Sequence, residues 1–187
     1  MTVKLANEQN ISLMKSAGCY SIQIGIESGN NEILSAIRKN ITIEEALEAC
    51  KLVKRHGIAL TTFFIVGFPQ DTEDTLRDTI TAMKKAKSDI VIYNIFMPYP
   101  GTEAFELCKE KGLIGDDYDA SLYNHQSPLN NFCINVPRER FRMIVSEVEK
   151  QIDRKNSAYA FKRLISLYAF NEVMQRLHWR ETRNASN

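Results

Sequence analysis

The chain has 187 residues, 44% hydrophobic and 25% charged, with 24 basic against 23 acidic side chains. That size suits one domain, or one domain with an extension, and falls short of the roughly 250 residues of a complete eight-unit β/α barrel. The even charge supplies no long-range field for nucleic acid, no apolar run approaches the roughly 20 residues that cross a bilayer, and no apolar signal core opens the chain. A cytoplasmic protein with neither nucleic-acid nor membrane partners is expected.

A helix is predicted over about 7–17, and a strand follows it over 20–26. In that strand Ile22, Ile24 and Ile26 share one face, while Ser21, Gln23, Gly25 and Glu27 share the other. A parallel strand in an open doubly wound sheet is apolar on both faces, so a wholly polar face fits better into a barrel lumen. Glu27 stands at the carboxyl end of the strand, where α/β folds place their sites, and Ser28-Gly29-Asn30-Asn31 turns into a helix.

Thr42-Ile43-Glu44-Glu45 reads as a capping box that starts the next helix, and His56-Gly57 closes it. The second strand covers 59–66 and leaves through Gly67-Phe68-Pro69-Gln70-Asp71-Thr72. A helix begins at Asp71-Thr72, with Leu76, Ile80 and Met83 as its apolar stripe. The third strand covers 89–96 and leaves through Met97-Pro98-Tyr99-Pro100-Gly101-Thr102 into a helix that ends near Lys111-Gly112. Residues 115–136 read as an irregular loop. Two helices follow, at about 138–154 and 158–176, before a frayed tail.

Strands alternating with helices predict βαβ units with right-handed crossovers. The expected fold is α/β: three parallel strands of a partial, TIM-like (β/α) barrel over 1–115, then an irregular loop and an α-helical carboxyl-terminal extension over 116–187. Cys19, Cys50, Cys108 and Cys133 are too far apart for a zinc or iron–sulfur loop, so no metal ligand is assigned.

The string Gly18-Cys19-Tyr20-Ser21-Ile22-Gln23-Ile24-Gly25-Ile26-Glu27-Ser28-Gly29 resembles the fourth-strand segment of radical S-adenosylmethionine (radical SAM) enzymes. Ile37-Arg38-Lys39-Asn40-Ile41-Thr42 resembles the segment that follows it. Phe64-Ile65-Val66-Gly67-Phe68-Pro69-Gln70-Asp71-Thr72 is similar to the family's fifth-strand, adenine-side motif. Pro98-Tyr99-Pro100-Gly101-Thr102 is similar to the loop after its sixth strand, in a subgroup that often carries an amino-terminal cobalamin-binding domain.

The resemblance runs from about Leu5 to Ile114 and implies a role for each matching position. Glu27 would contact the methionine amino group or the ribose of SAM, on the polar face shared with Gln23. Lys39 would pair with the SAM carboxylate, Ile65 and Gly67 would flank the adenine, and Phe96 and Met97 would meet its polar edge through their backbone.

The family's three-cysteine CxxxCxxC loop and its Gly-Gly-Glu segment do not occur in the sequence. The resemblance therefore implies a fragment lacking the amino-terminal half of the barrel. SAM and a [4Fe–4S] cluster would be cofactors of the parent, and cobalamin is a further cofactor that the subgroup raises for it. The parent would cleave SAM reductively to a 5′-deoxyadenosyl radical, and the isolated chain would be inactive. The alternatives are a non-catalytic half-barrel that binds or scaffolds, and a phosphate-binding module using the Gly-rich loops. The bare outer edge of the first strand is expected to drive self-association.

Overall fold

The computed structural model describes residues 1–127 and 130–184, with side chains up to 166. Three parallel strands, β1 (Ser21–Glu27), β2 (Ala59–Val66) and β3 (Ile90–Ile95), pair in the order β1-β2-β3. Gln23 lies opposite Thr61, and Thr61 opposite Ile90. Helices α1 (Glu8–Ser16), α2 (Asn31–Ala36), α3 (Ile43–Arg55), α4 (Glu73–Lys85) and α5 (Glu103–Glu110) alternate with them.

The alternation of side chains decides what the sheet covers. Ile22, Ile24 and Ile26 of β1, Leu60, Phe64 and Val66 of β2, and Val91, Tyr93 and Ile95 of β3 are buried under the helices. The intervening residues, Ser21 and Gln23 among them, are exposed or half-buried on the opposite face. One face is thus a packed core, and the other is open in the manner of a barrel lumen.

Local signals start and stop the helices. Thr42 Oγ1 accepts from Glu45 N–H (3.2 Å) and Glu45 Oε2 accepts from Thr42 N–H (2.7 Å), which satisfies two free donors of α3. Gly57, at φ 66°, closes α3 in the left-handed region. The reciprocal cap of α4 is made by Thr72 and Thr75, one residue later than the sequence suggests, because Asp71 turns inward.

The two helices expected at 138–154 and 158–176 are one helix, α6 (Arg138–Asn184). Lys155-Asn156-Ser157 was the expected break, but it contains neither proline nor glycine. Asn156 instead bonds outward: its Nδ2–H donates to Val91 O (2.9 Å) and its Oδ1 accepts from Val91 N–H (3.0 Å). The side chain takes the place of a strand neighbour at the β3 edge. Phe141, Ile144, Val145, Val148 and Ile152 bury the first turns of α6 in the core, against α4 and β3.

Candidate functional site

Glu27 and Lys39 meet at the carboxyl ends of the strands, where Lys39 Nζ lies 2.6 Å from Glu27 Oε1. Their side chains keep 29% (Lys39) and 21% (Glu27) exposure, enough for a ligand to reach both. The local backbone is bent to bring them together. A bulge between Gly25 and Glu27 interrupts the β1–β2 register, and Glu27 sits at φ 75°. Its carboxylate folds back over Gly25, where a Cβ would stand 2.5 Å from Oε1 and 3.4 Å from Lys39 Nζ. A side chain at position 25 would therefore displace the pair.

Lys39 is delivered by the end of α2. Arg38 N–H donates to Ser35 O and Lys39 N–H donates to Leu34 O (2.9 Å), a Schellman closure with Arg38 at φ 55° where glycine is usual. Asn40 follows at φ 52°. Glu27, Arg38 and Asn40 are the three non-glycine residues with a left-handed backbone among the described residues, and all three surround this ion pair. Strain of order 1–3 kcal/mol per residue, collected at one point, is characteristic of functional sites.

The neighbouring loop is held by a carboxylate that the sequence reading took for a helix start. Asp71 is 1% exposed. Its Oδ2 accepts from Gly67 N–H (3.0 Å) and Phe68 N–H (2.9 Å), and its Oδ1 from the Thr75 hydroxyl (2.6 Å). Burial pushes its pKa up to about 6, against the opposing pull of the Thr75, Phe68 and Gly67 hydrogen bonds. The sequence signal was a carboxylate directly before the capping threonine, in a position to bond back into the loop.

The other expected site residues spread along the same rim. Ile65 is half-buried on the open face and packs in a second cluster with Phe96 and Phe68. The Phe96 and Phe68 rings lie 5.3 Å apart. Phe96 N–H donates to Val66 O (2.8 Å), and Met97 beside it is also buried. Gly67, at φ 90°, has its Cβ direction filled: a methyl there would stand 2.7 Å from Phe141 Cζ. Packing against α6 and a left-handed backbone account for this glycine, so a ligand ring has no open approach from that side. Gln23 is exposed two residues before Gly25, and its backbone O accepts from the Met1 ammonium (2.8 Å). On the loop after β3 the Tyr99 hydroxyl lies 2.6 Å from His125 Nε2, a contact that no local sequence signal announces.

The four cysteines do not form a cluster site. Cys50, Cys108 and Cys133 are buried, and desolvation pushes the Cys50 and Cys108 thiols up to about 11 and raises Cys133 further. No three metal-ligating side chains converge among the described residues. This donor set does not fit an iron–sulfur cluster. The Glu27–Lys39 pair does fit a zwitterion, whose ammonium would face the carboxylate and whose carboxylate would face the ammonium.

A sequence profile of the radical SAM superfamily matches residues 2–83, which include β1, β2 and the whole Glu27–Lys39 site. Over these residues the chain is similar to the radical SAM superfamily. An uncharacterized methyltransferase of Pyrococcus horikoshii is 36% identical over 112 residues, covering 60% of this chain and 24% of the relative. A tRNA-2-methylthio-N(6)-dimethylallyladenosine synthase of Aquifex aeolicus is 30% identical over 132 residues, covering 70% of this chain and 29% of the relative. The chain thus spans about a quarter of the length of the curated relatives it matches. In structure it is similar to the archaeal Methanocaldococcus infernus Elp3 with an amino-terminal deletion (TM-score 0.53, 21% identity, 59% of this chain and 26% of that one). That likeness shows the fold, a partial radical SAM barrel of three parallel strands with a helical carboxyl-terminal part.

Proposed function

We propose that this chain forms the second half of the SAM site of a radical SAM enzyme, with the amino-acid head of SAM inserted between Glu27 and Lys39. The observation that supports this most is the opposite-charge pair held by three left-handed residues at the strand ends. On this reading Glu27 accepts from the SAM ammonium and Lys39 donates to its carboxylate. Ile65 lies against the adenine, the Gly67 peptide approaches it by its carbonyl side, and the backbone of Phe96 and Met97 meets its polar edge. Gln23 faces the lumen below.

The cluster would be held by thiolates outside this chain, in a preceding half of the barrel. The parent would cleave SAM reductively to a 5′-deoxyadenosyl radical that takes hydrogen from its substrate. Residues 1–115 are the barrel part and 116–187 the extension, and the protein works in the cytoplasm. The methyltransferase and methylthio-forming relatives favour a group-transfer reaction for the parent.

NMR titration of the ¹⁵N-labelled chain with SAM tests this directly. Shifts confined to Glu27, Lys39, Ile65, Gly67 and Met97 are expected, and shifts that avoid Glu27 and Lys39 contradict the proposal.

The same reading leaves the outer edge of β1 without a strand partner. Among the described residues it has the Met1 ammonium on Gln23 O, whereas α6 covers β3. An open parallel edge pairs with other chains. Light scattering at tens of micromolar is expected to report a dimer or larger species, and a clean monomer contradicts it.

A further inference from the structure

The opposite end of the sheet carries a concentration of positive charge that the SAM reading does not use. The ends of α3 and α4, the turn into β3 and the middle of α6 converge there around a concavity of about 640 Å³. Lys51, Lys54, Arg55, Lys84, Lys87 and Lys155 line it, and no carboxylate does.

Two of these cations are paired from outside the concavity, Lys51 with Glu48 (2.6 Å) and Lys54 with Asp89 (2.5 Å). Lys155 Nζ donates to Met83 O (2.8 Å) and Ala86 O (2.6 Å), which satisfies the last carbonyls of α4 without a counter-charge. Burial lowers its pKa, with Lys87 acting in the same direction and Cys50 and Asp89 opposing it. Arg55, Lys84 and Lys87 form no ion pair among the described residues.

Basic residues at helix carboxyl termini are usually there to offset the macrodipole, roughly half a charge per helix. That accounts for about one of the six. With the two carboxylates also allowed for, roughly three positive charges remain uncompensated. Ser88 adds a donor, because its Oγ accepts from the Thr62 hydroxyl (2.9 Å) and its own proton is left to point elsewhere.

We propose that this concavity is a binding site for consecutive phosphate groups. The ligand is a soluble polyphosphate or polyphosphate ester, or else the phosphates of a nucleic-acid backbone. Four lysines and an arginine from three helices, with a serine hydroxyl and one lysine after α4, match a row of oxyanions. No aromatic side chain lines the surface to stack on a base, so recognition is of phosphate alone. The chain's even net charge conceals the site, because the balancing carboxylates lie elsewhere.

The test uses two probes, tripolyphosphate followed by calorimetry and a short fluorescein-labelled single-stranded RNA followed by anisotropy. Each is titrated into the 187-residue chain, into Lys84→Glu/Lys87→Glu, and into Lys4→Glu/Lys111→Glu, which makes the same charge change on exposed residues outside the concavity. At least one probe is expected to bind, about tenfold more weakly to the concavity variant at low salt and unchanged in the control. For RNA the salt slope becomes shallower by about one to two. Binding of tripolyphosphate assigns the site to small polyphosphates, and binding of RNA alone assigns it to a backbone. The proposal fails if neither probe binds, if the concavity variant binds as well as the wild type, or if both variants lose affinity equally.

Discussion

The two ends of the sheet hold their energy in different forms. At the carboxyl ends of the strands the backbone is strained, with Glu27, Arg38 and Asn40 left-handed, and a carboxylate without a cation, Asp71, is buried in the loop beside them. At the amino ends α3 closes in an ordinary glycine cap, α4 stops at Ala86, and six basic side chains gather around one concavity. Conformational strain fixes the direction of a few groups, as a site for a zwitterion requires. Unpaired charge leaves the backbone free and attracts a ligand less selectively. The rim is the end built for geometry.

The largest effect concerns Asp71. Its folded pKa of about 6 lies above the ordinary carboxylate value of 3.8, so in that window the folded state binds the proton that the unfolded state has released. Asp71 therefore contributes most to stability at low pH, and the contribution is lost as the pH rises from about 4 to about 6. The shift corresponds to at most about 3 kcal/mol. Urea unfolding of the wild type and Asp71→Asn across that window is expected to show the wild type gaining on the variant as the pH falls. A difference independent of pH would mean that the loop carboxylate is not desolvated and the rim less strained than described.

A smaller effect sharpens the same point. Arg38 occupies a left-handed helix end, and its ion pair with Glu103 is exposed on both sides. Arg38→Gly is expected to stabilise the chain by about 1 kcal/mol in urea unfolding, because relief of the left-handed penalty outweighs a weak surface pair. A loss of stability would show that the position is not strained.

Much of the frame was legible in the sequence, since apolar runs of strand length between Gly-containing turns marked β1 to β3 and the Thr42–Glu45 box marked α3. The single helix α6 was not. Asn156 reads as a helix interruption, and its use as a stand-in for a strand neighbour of Val91 depends on a contact 65 residues away. Glu27 was legible as a carboxylate at the strand end, and Lys39 was singled out through the family resemblance. Their 2.6 Å contact depends on a bulge and on left-handed residues at Arg38 and Asn40, which no local signal announces. Gly67 was singled out as a backbone position free of side-chain bulk, and Phe141, 74 residues on, fills the direction that a Cβ would take. Asp71 was visible but assigned to a cap, because burial cannot be read from a polar stretch.

On the proposed function, the Glu27–Lys39 pair opens to accept an amino-acid zwitterion. The most direct test titrates the wild type and Lys39→Ala with SAM and with 5′-deoxyadenosine, which shares the nucleoside but lacks the amino acid. Lys39→Ala is expected to weaken SAM about ten- to a hundredfold, the loss of a charged contact worth roughly 1.5–3 kcal/mol, and to leave 5′-deoxyadenosine unchanged. Equal affinity of both proteins for SAM, or an equal loss for the two ligands, would contradict the account.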